Sequence, residues 1–98
     1  MNVDVKEGVY CFFKGPQFET HAEIRAFKTL GADMVGMSTV PEAIVARHSD
    51  MKILGISLVT NKAAGLSNNE LNHIEVMEAA NSAEERLVKL VKQILKDM

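Results

Sequence analysis

Short apolar runs of strand type alternate along this chain with segments that open on helix-start signals, and the apolar period switches with them. Residues 8–13 hold Val9, Tyr10, Phe12 and Phe13 and close at Gly15-Pro16, which predicts a first strand. Thr20 followed by Glu23 makes a capping box, Ile24, Phe27 and Leu30 recur at helical spacing, and Gly31 terminates the helix. Residues 33–37 read as a second, short strand. Thr39 with Glu42 offers another capping box, and Pro41, tolerable only in a first turn, starts a helix over 41–48 whose end places His48 favourably in the helix dipole. Residues 52–60 carry Ile53, Leu54, Ile56, Leu58 and Val59, the near-continuous pattern of a central strand covered on both faces. Residues 63–69, with Gly65 and two adjacent asparagines, read as a loop. Residues 70–98 are then helical, in one piece or broken near Asn81-Ser82, where Ser82 and Glu85 offer a further capping box. Leu87, Leu90, Val91, Ile94 and Leu95 form an apolar stripe there, with Lys89, Lys92 and Lys96 outside it, which reads as core packing. The fold class that follows is α/β, a mostly parallel sheet flanked by helices in βαβαβα order.

In open parallel sheets, ligands bind beyond the carboxyl ends of the strands, where loops converge and helix N-termini point free amides at the crevice. The three ends here are residues 15–20, 37–39 and 60–62. The rule therefore places Glu19, Met37, Ser38 and Asn61 along one sheet edge, with Thr60 beside them. Each candidate also has a purely structural reading. Glu19 suits the dipole at a helix start, Phe18 a packed ring, Ser38 a helix initiation shared with Thr39, Asn61 a turn, and His73 a solvated histidine beside a helix start. Position in the fold yields a site but no substrate.

Composition narrows the partners. The chain has 98 residues, 47% hydrophobic and 24% charged, which is globular in kind and fits one small domain or a piece of a larger one. Its 11 basic and 13 acidic residues leave a net charge of -2 without a basic cluster, which argues against nucleic acid and anionic membrane as partners. Cys11 has no second cysteine to pair with and lies in an apolar run, so a buried thiol in a reducing cytoplasm is expected. No apolar stretch reaches the roughly 18 residues of a membrane span, and the N-terminus is not signal-like, so a soluble, unexported protein is expected. His21, His48 and His73 show no metal-ligand spacing, and neither a phosphate-binding glycine loop nor a nucleophile elbow is present, so no metal is expected.

The strings Gly15-Pro16-Gln17-Phe18-Glu19-Thr20, Gly31 through Glu42 with Met37-Ser38-Thr39-Val40-Pro41-Glu42 at its end, and Ser57-Leu58-Val59-Thr60-Asn61-Lys62 change the picture. In order and spacing they resemble the trimeric, 6-oxopurine-preferring purine nucleoside phosphorylases, from Glu7-Gly8-Val9-Tyr10 to the terminal helix. The resemblance covers nearly all of the chain but only the C-terminal portion of a family member, so residues 1–98 would be the C-terminal portion of a nucleoside phosphorylase domain. It implies phosphorolysis of purine nucleosides or deoxynucleosides to free base and sugar 1-phosphate, in the cytoplasm, in purine salvage, by a homotrimer. Inorganic phosphate is a substrate, and no cofactor is implied.

The resemblance also implies a residue map. Glu19 accepts hydrogen bonds from the purine, Asn61 bonds its six-oxo group and ring nitrogen seven, Thr60 supports Asn61, and Phe18 packs on the base. Val35 and Gly36 line the purine slot, Met37 contacts the ribose, Tyr10 and His73 reach sugar hydroxyls, and Ser38 contacts phosphate. Asn61 and Glu19 would be the catalytic pair, because negative charge moves onto the departing base and Asn61 bonds it more strongly in the transition state. Lys14 and His21 stand where the family pattern calls for a small residue and a proline. The family's phosphate loop and basic phosphate ligands lie upstream of the portion represented, so residues 1–98 alone are expected to be inactive. A methylthioadenosine phosphorylase is the enzymatic alternative, but its 6-aminopurine calls for a carboxylate where Asn61 stands. A non-catalytic α/β binding or assembly module is the alternative that the fold pattern alone also supports.

Overall fold

The computed structural model describes residues 4–66 and 73–98. Its elements in chain order are β1 (Tyr10–Phe12), α1 (His21–Thr29), β2 (Met34–Gly36), α2 (Val40–His48) and α3 (His73–Asp97). The strands β1 and β2 pair in parallel with Tyr10 opposite Met34, Cys11 opposite Val35 and Phe12 opposite Gly36. The expected α/β organisation and parallel pairing are therefore present. Both strands are shorter than the apolar pattern suggested, and Asp33 explains one end. Its carboxylate accepts the Val9 N–H at 2.7 Å, while the Val9 carbonyl accepts from the amides of Asp33 and Met34 at 2.9 and 3.1 Å. A side chain thus takes the donor that a longer ladder would use.

The helix α1 forms as its cap predicts. Thr20 Oγ1 accepts from the Glu23 amide at 3.1 Å, and the Glu23 carboxylate accepts from the Thr20 amide at 2.9 Å. Gly31, at φ 101°, adopts the left-handed conformation that ends a helix without a Cβ penalty. The helix turns Ile24 inward, and Phe27 meets Phe13 with ring centroids 5.9 Å apart, which docks α1 against the end of β1. The second capping box does not form. Thr39 occupies the N-cap of α2 at φ 71°, outside the extended region a capping side chain needs, and its hydroxyl lies 3.1 Å from Ser38 Oγ. Nor does α3 break at Asn81-Ser82, because the Ser82 hydroxyl donates back to the Ala79 carbonyl at 2.9 Å instead of capping a new helix. Residues 67–72, which include the end of the expected loop and the expected helix start at Glu70, lie outside the described residues.

The third strand expected over 52–60 is absent from this chain's sheet, and no backbone hydrogen bond joins those residues to β1 or β2. An apolar run reports a preference for burial, whereas a strand exists only through pairing, and here the pairing is missing. Leu54 and Val59 are accordingly 67% and 66% exposed. The α3 stripe is likewise uncovered at Leu95, 63% exposed, while Leu90 and Ile94 are half-buried, so its core-packing reading is not realised. Cys11 is half-buried and unpaired, not buried as expected. The buried hydrophobics among the described residues are Ile24 and Ala83.

So small a core beside so much exposed apolar surface favours association. In sedimentation velocity, the isolated chain of 10.8 kDa is expected to show a weight-average mass that rises with concentration, and to melt without a sharp transition. A concentration-independent monomer with a sharp melt is the contrary result.

Candidate functional site

The site is built where β1 and β2 end. Beyond β1 the chain turns at Gly15, which is buried, at φ 70°, and joined to Pro16 by a cis peptide. A Cβ at Gly15 would overlap the sulfur of Met37, so the turn after β1 and the turn after β2 pack directly on each other. A second close approach lies alongside. The Tyr10 ring crosses over Gly36, where a Cβ would collide with its hydroxyl. That hydroxyl accepts the Ser38 backbone N–H at 3.3 Å and stands 3.4 Å from Ser38 Oγ. Ser38 is therefore held by its neighbours on both sides, Tyr10 from β1 and the Thr39 hydroxyl from its own turn.

The third arm is the end of the extended segment. Thr60 donates its hydroxyl to Asn61 Oδ1 at 2.7 Å, and Asn61 Nδ2 donates to the Lys62 carbonyl at 3.1 Å. With its oxygen engaged and one amide proton engaged, Asn61 keeps one N–H to offer a ligand acceptor. Both Thr60 and Asn61 are half-buried. Glu19 directly precedes the Thr20 and Glu23 capping pair, so it stands at the start of α1 without taking part in the cap. Among the described residues the half-buried Glu19 carboxylate makes no hydrogen bond or ion pair. Phe18 is 49% exposed, more than a packed core ring would be.

These arms border an open cleft of about 1200 Å³. Tyr10, Phe18, Glu19, Val35, Gly36, Met37, Ser38, Thr60, Asn61 and His73 all line it, so every sequence-derived candidate meets the others in one place. Glu19, Met37 and Ser38 follow the two paired strands, whereas Asn61 follows a segment outside the sheet, so the edge expected after three consecutive strands is present only in its first two parts. The sequence reading missed the part played by the Lys62 carbonyl, which braces the Asn61 amide; its signal was its place directly after Asn61 in the same string. It also missed Thr39 as a partner of Ser38, since the capping pattern assigned that hydroxyl elsewhere. Among the described residues, no three His, Cys, Asp or Glu side chains gather where they could hold a metal ion. No helix among them is long and apolar enough to cross a membrane.

The family model described as the phosphorylase superfamily matches residues 1–96. The chain belongs to that superfamily. It is 48% identical over 95 residues to purine nucleoside phosphorylase 1 of Bacillus subtilis strain 168, a match covering 97% of this chain and 35% of that protein. It is 54% identical over 90 residues to the purine nucleoside phosphorylase of Cellulomonas sp, covering 92% of this chain and 32% of that protein. A crystal structure of Schistosoma purine nucleoside phosphorylase in complex with hypoxanthine superposes with a TM-score of 0.86 at 35% identity, over 93% of this chain and 33% of that one. The chain thus spans about a third of the length of the superfamily members it matches.

Proposed function

We propose that this segment supplies the purine and ribose contacts of an enzyme that splits 6-oxopurine nucleosides, or their deoxy forms, with inorganic phosphate. The observation that carries the reading is the Asn61 amide, whose oxygen is held by Thr60 so that its N–H remains for an acceptor, in the same cleft as an unengaged Glu19 carboxylate. A donor for an acceptor edge and an acceptor for a donor edge suit a 6-oxopurine; the names of the similar phosphorylases support purine nucleosides, and the hypoxanthine in the Schistosoma enzyme is a 6-oxopurine.

The chemistry follows from where charge moves. As the bond from the anomeric carbon to the purine breaks, the sugar becomes cation-like and the base gains negative charge. An N–H of Asn61 aimed at ring nitrogen seven or the six-oxo group strengthens its bond as that charge grows, which lowers the barrier instead of merely tightening binding. Glu19 holds the base by accepting from its N–H groups. Phe18 and Val35 bound the base slot, Gly36 leaves it open, Met37 and His73 face the sugar, and Ser38 donates to phosphate. The reading carries no metal or organic cofactor. It extends to a cytoplasmic homotrimer in purine salvage, with residues 1–98 as the C-terminal portion of the domain and 52–60 as its third parallel strand.

The test is a phosphorylase of full family length that contains residues 1–98, assayed with inosine. Release of hypoxanthine that depends on added phosphate is the expected result. Cleavage of methylthioadenosine in preference to inosine would move the assignment to the 6-aminopurine enzymes, and purine binding without cleavage would move it to a binding module.

A further inference from the structure

We infer that Tyr10 is a positioning residue for the anion contact of Ser38, setting the direction of the serine's one proton. The inference rests on the reading of Ser38 as a phosphate contact. A serine hydroxyl has one proton and two acceptor lone pairs, so it donates to an anion only if that proton is not already committed. Left to itself, the Ser38 proton has a ready acceptor in Thr39 Oγ1, 3.1 Å away. The Tyr10 hydroxyl changes that choice. Its oxygen accepts the Ser38 backbone N–H at 3.3 Å and stands 3.4 Å from Ser38 Oγ, where either hydroxyl can donate; the phenol, the more acidic of the two, is the donor in this arrangement. When Tyr10 donates to Ser38 Oγ and Thr39 takes the donor role in its own contact with that oxygen, the serine's lone pairs are filled and its proton is left for the cleft. Gly36 is the structural condition for this arrangement, because any side chain there would meet the tyrosine hydroxyl. Tyr10 in this role serves Ser38, not the sugar hydroxyls that the resemblance assigned to it.

Tyr10→Phe removes the hydroxyl and keeps the ring, so packing over Gly36 is preserved. In a phosphorylase of full family length containing residues 1–98, the variant is expected to raise the KM for inorganic phosphate about 2- to 10-fold, the range of one neutral hydrogen bond. The KM for inosine, and the ratio of activity on inosine to 2′-deoxyinosine, stay within about twofold, the scatter allowed when no bond is lost. Ser38→Ala raises the phosphate KM about 10-fold or more, as loss of a bond to a charged group does, and adding Tyr10→Phe to it has no further effect. A merely structural tyrosine would depress kcat and both KM values together. An altered inosine to deoxyinosine ratio in Tyr10→Phe would make Tyr10 a sugar contact and overturn the inference. So would an unchanged phosphate KM in Tyr10→Phe when Ser38→Ala raises it. An unchanged phosphate KM in Ser38→Ala removes the phosphate reading of Ser38 itself, and the positioning role with it.

Discussion

Purified residues 1–98, mixed with inosine and inorganic phosphate, are expected to release no hypoxanthine above background. Phosphorolysis requires phosphate and nucleoside to be held in register, and such positioning contributes about 7–11 kcal/mol of barrier reduction. The residues assigned here to phosphate amount to the Ser38 hydroxyl with its Tyr10 and Thr39 supports. One hydroxyl contacts a dianion without orienting it. The segment bearing Asn61 is in addition unpaired with the sheet, so the purine contacts lack a fixed frame. Turnover by the isolated chain at about 1 per second or faster, an ordinary enzymatic rate, would mean that a phosphate site has gone unassigned. Lys62 and Lys28 would be the first cations to examine, since both line the cleft, whereas Arg25 and Arg47 stand on exposed helical positions and Lys14 is exposed after β1.

Asn61→Asp, placed in a phosphorylase of full family length containing this segment, is expected to turn preference from inosine toward adenosine. Aspartate keeps the acceptor that Thr60 holds at 2.7 Å, so the side chain stays in place. It loses the donor, and a carboxylate can accept from a six-amino group but cannot donate to a six-oxo group. A mismatched buried pair costs about 1–3 kcal/mol, which corresponds to roughly 5- to 150-fold in the ratio of kcat/KM values. Part of the loss on inosine also comes from the new oxygen facing the Lys62 carbonyl, where the amide now donates at 3.1 Å. A ratio of kcat/KM for the two nucleosides equal to that of the parent enzyme would remove Asn61 from base recognition.

The legible parts of this molecule are those decided by local chemistry. The Thr20 and Glu23 box, the terminating Gly31, the parallel pairing of the first two apolar runs and the helical state of α3 depend on residues close in sequence or on a strong topological rule. Of the ten candidate residues that line the cleft, the rule about strand ends reaches those on the loops, such as Glu19, Ser38, Thr60 and Asn61, whereas Tyr10, Val35 and Gly36 on the strands and His73 at the start of α3 are named through the resemblance. What the residues did not reveal is either non-local or a choice between competing local bonds. Nothing in 52–60 says whether another strand is present to pair with it, and nothing in Thr39 says that its hydroxyl would turn to Ser38 once the backbone reaches φ 71°. Ser82 was ambiguous in the same way, because a serine that caps one helix can bond back along another.

The crossing of Tyr10 over Gly36 has a bearing on how the two strands find each other. Tyr10 pairs with Met34, and the next residue of β2 on that face is the glycine beneath the ring. Slide β2 by a single position and Val35 or Met37 comes under the aromatic ring, while every side chain changes face. Slide it by two and Met34 or Ser38 takes that place. Within 34–38 the only position without a Cβ is Gly36, so among these neighbouring alignments only the observed one lets the ring lie flat and its hydroxyl meet the Ser38 amide. The missing side chain acts as a keyway: it admits the ring in one alignment and rejects its neighbours, so assembly of the strand pair is checked by the same tyrosine that lines the cleft.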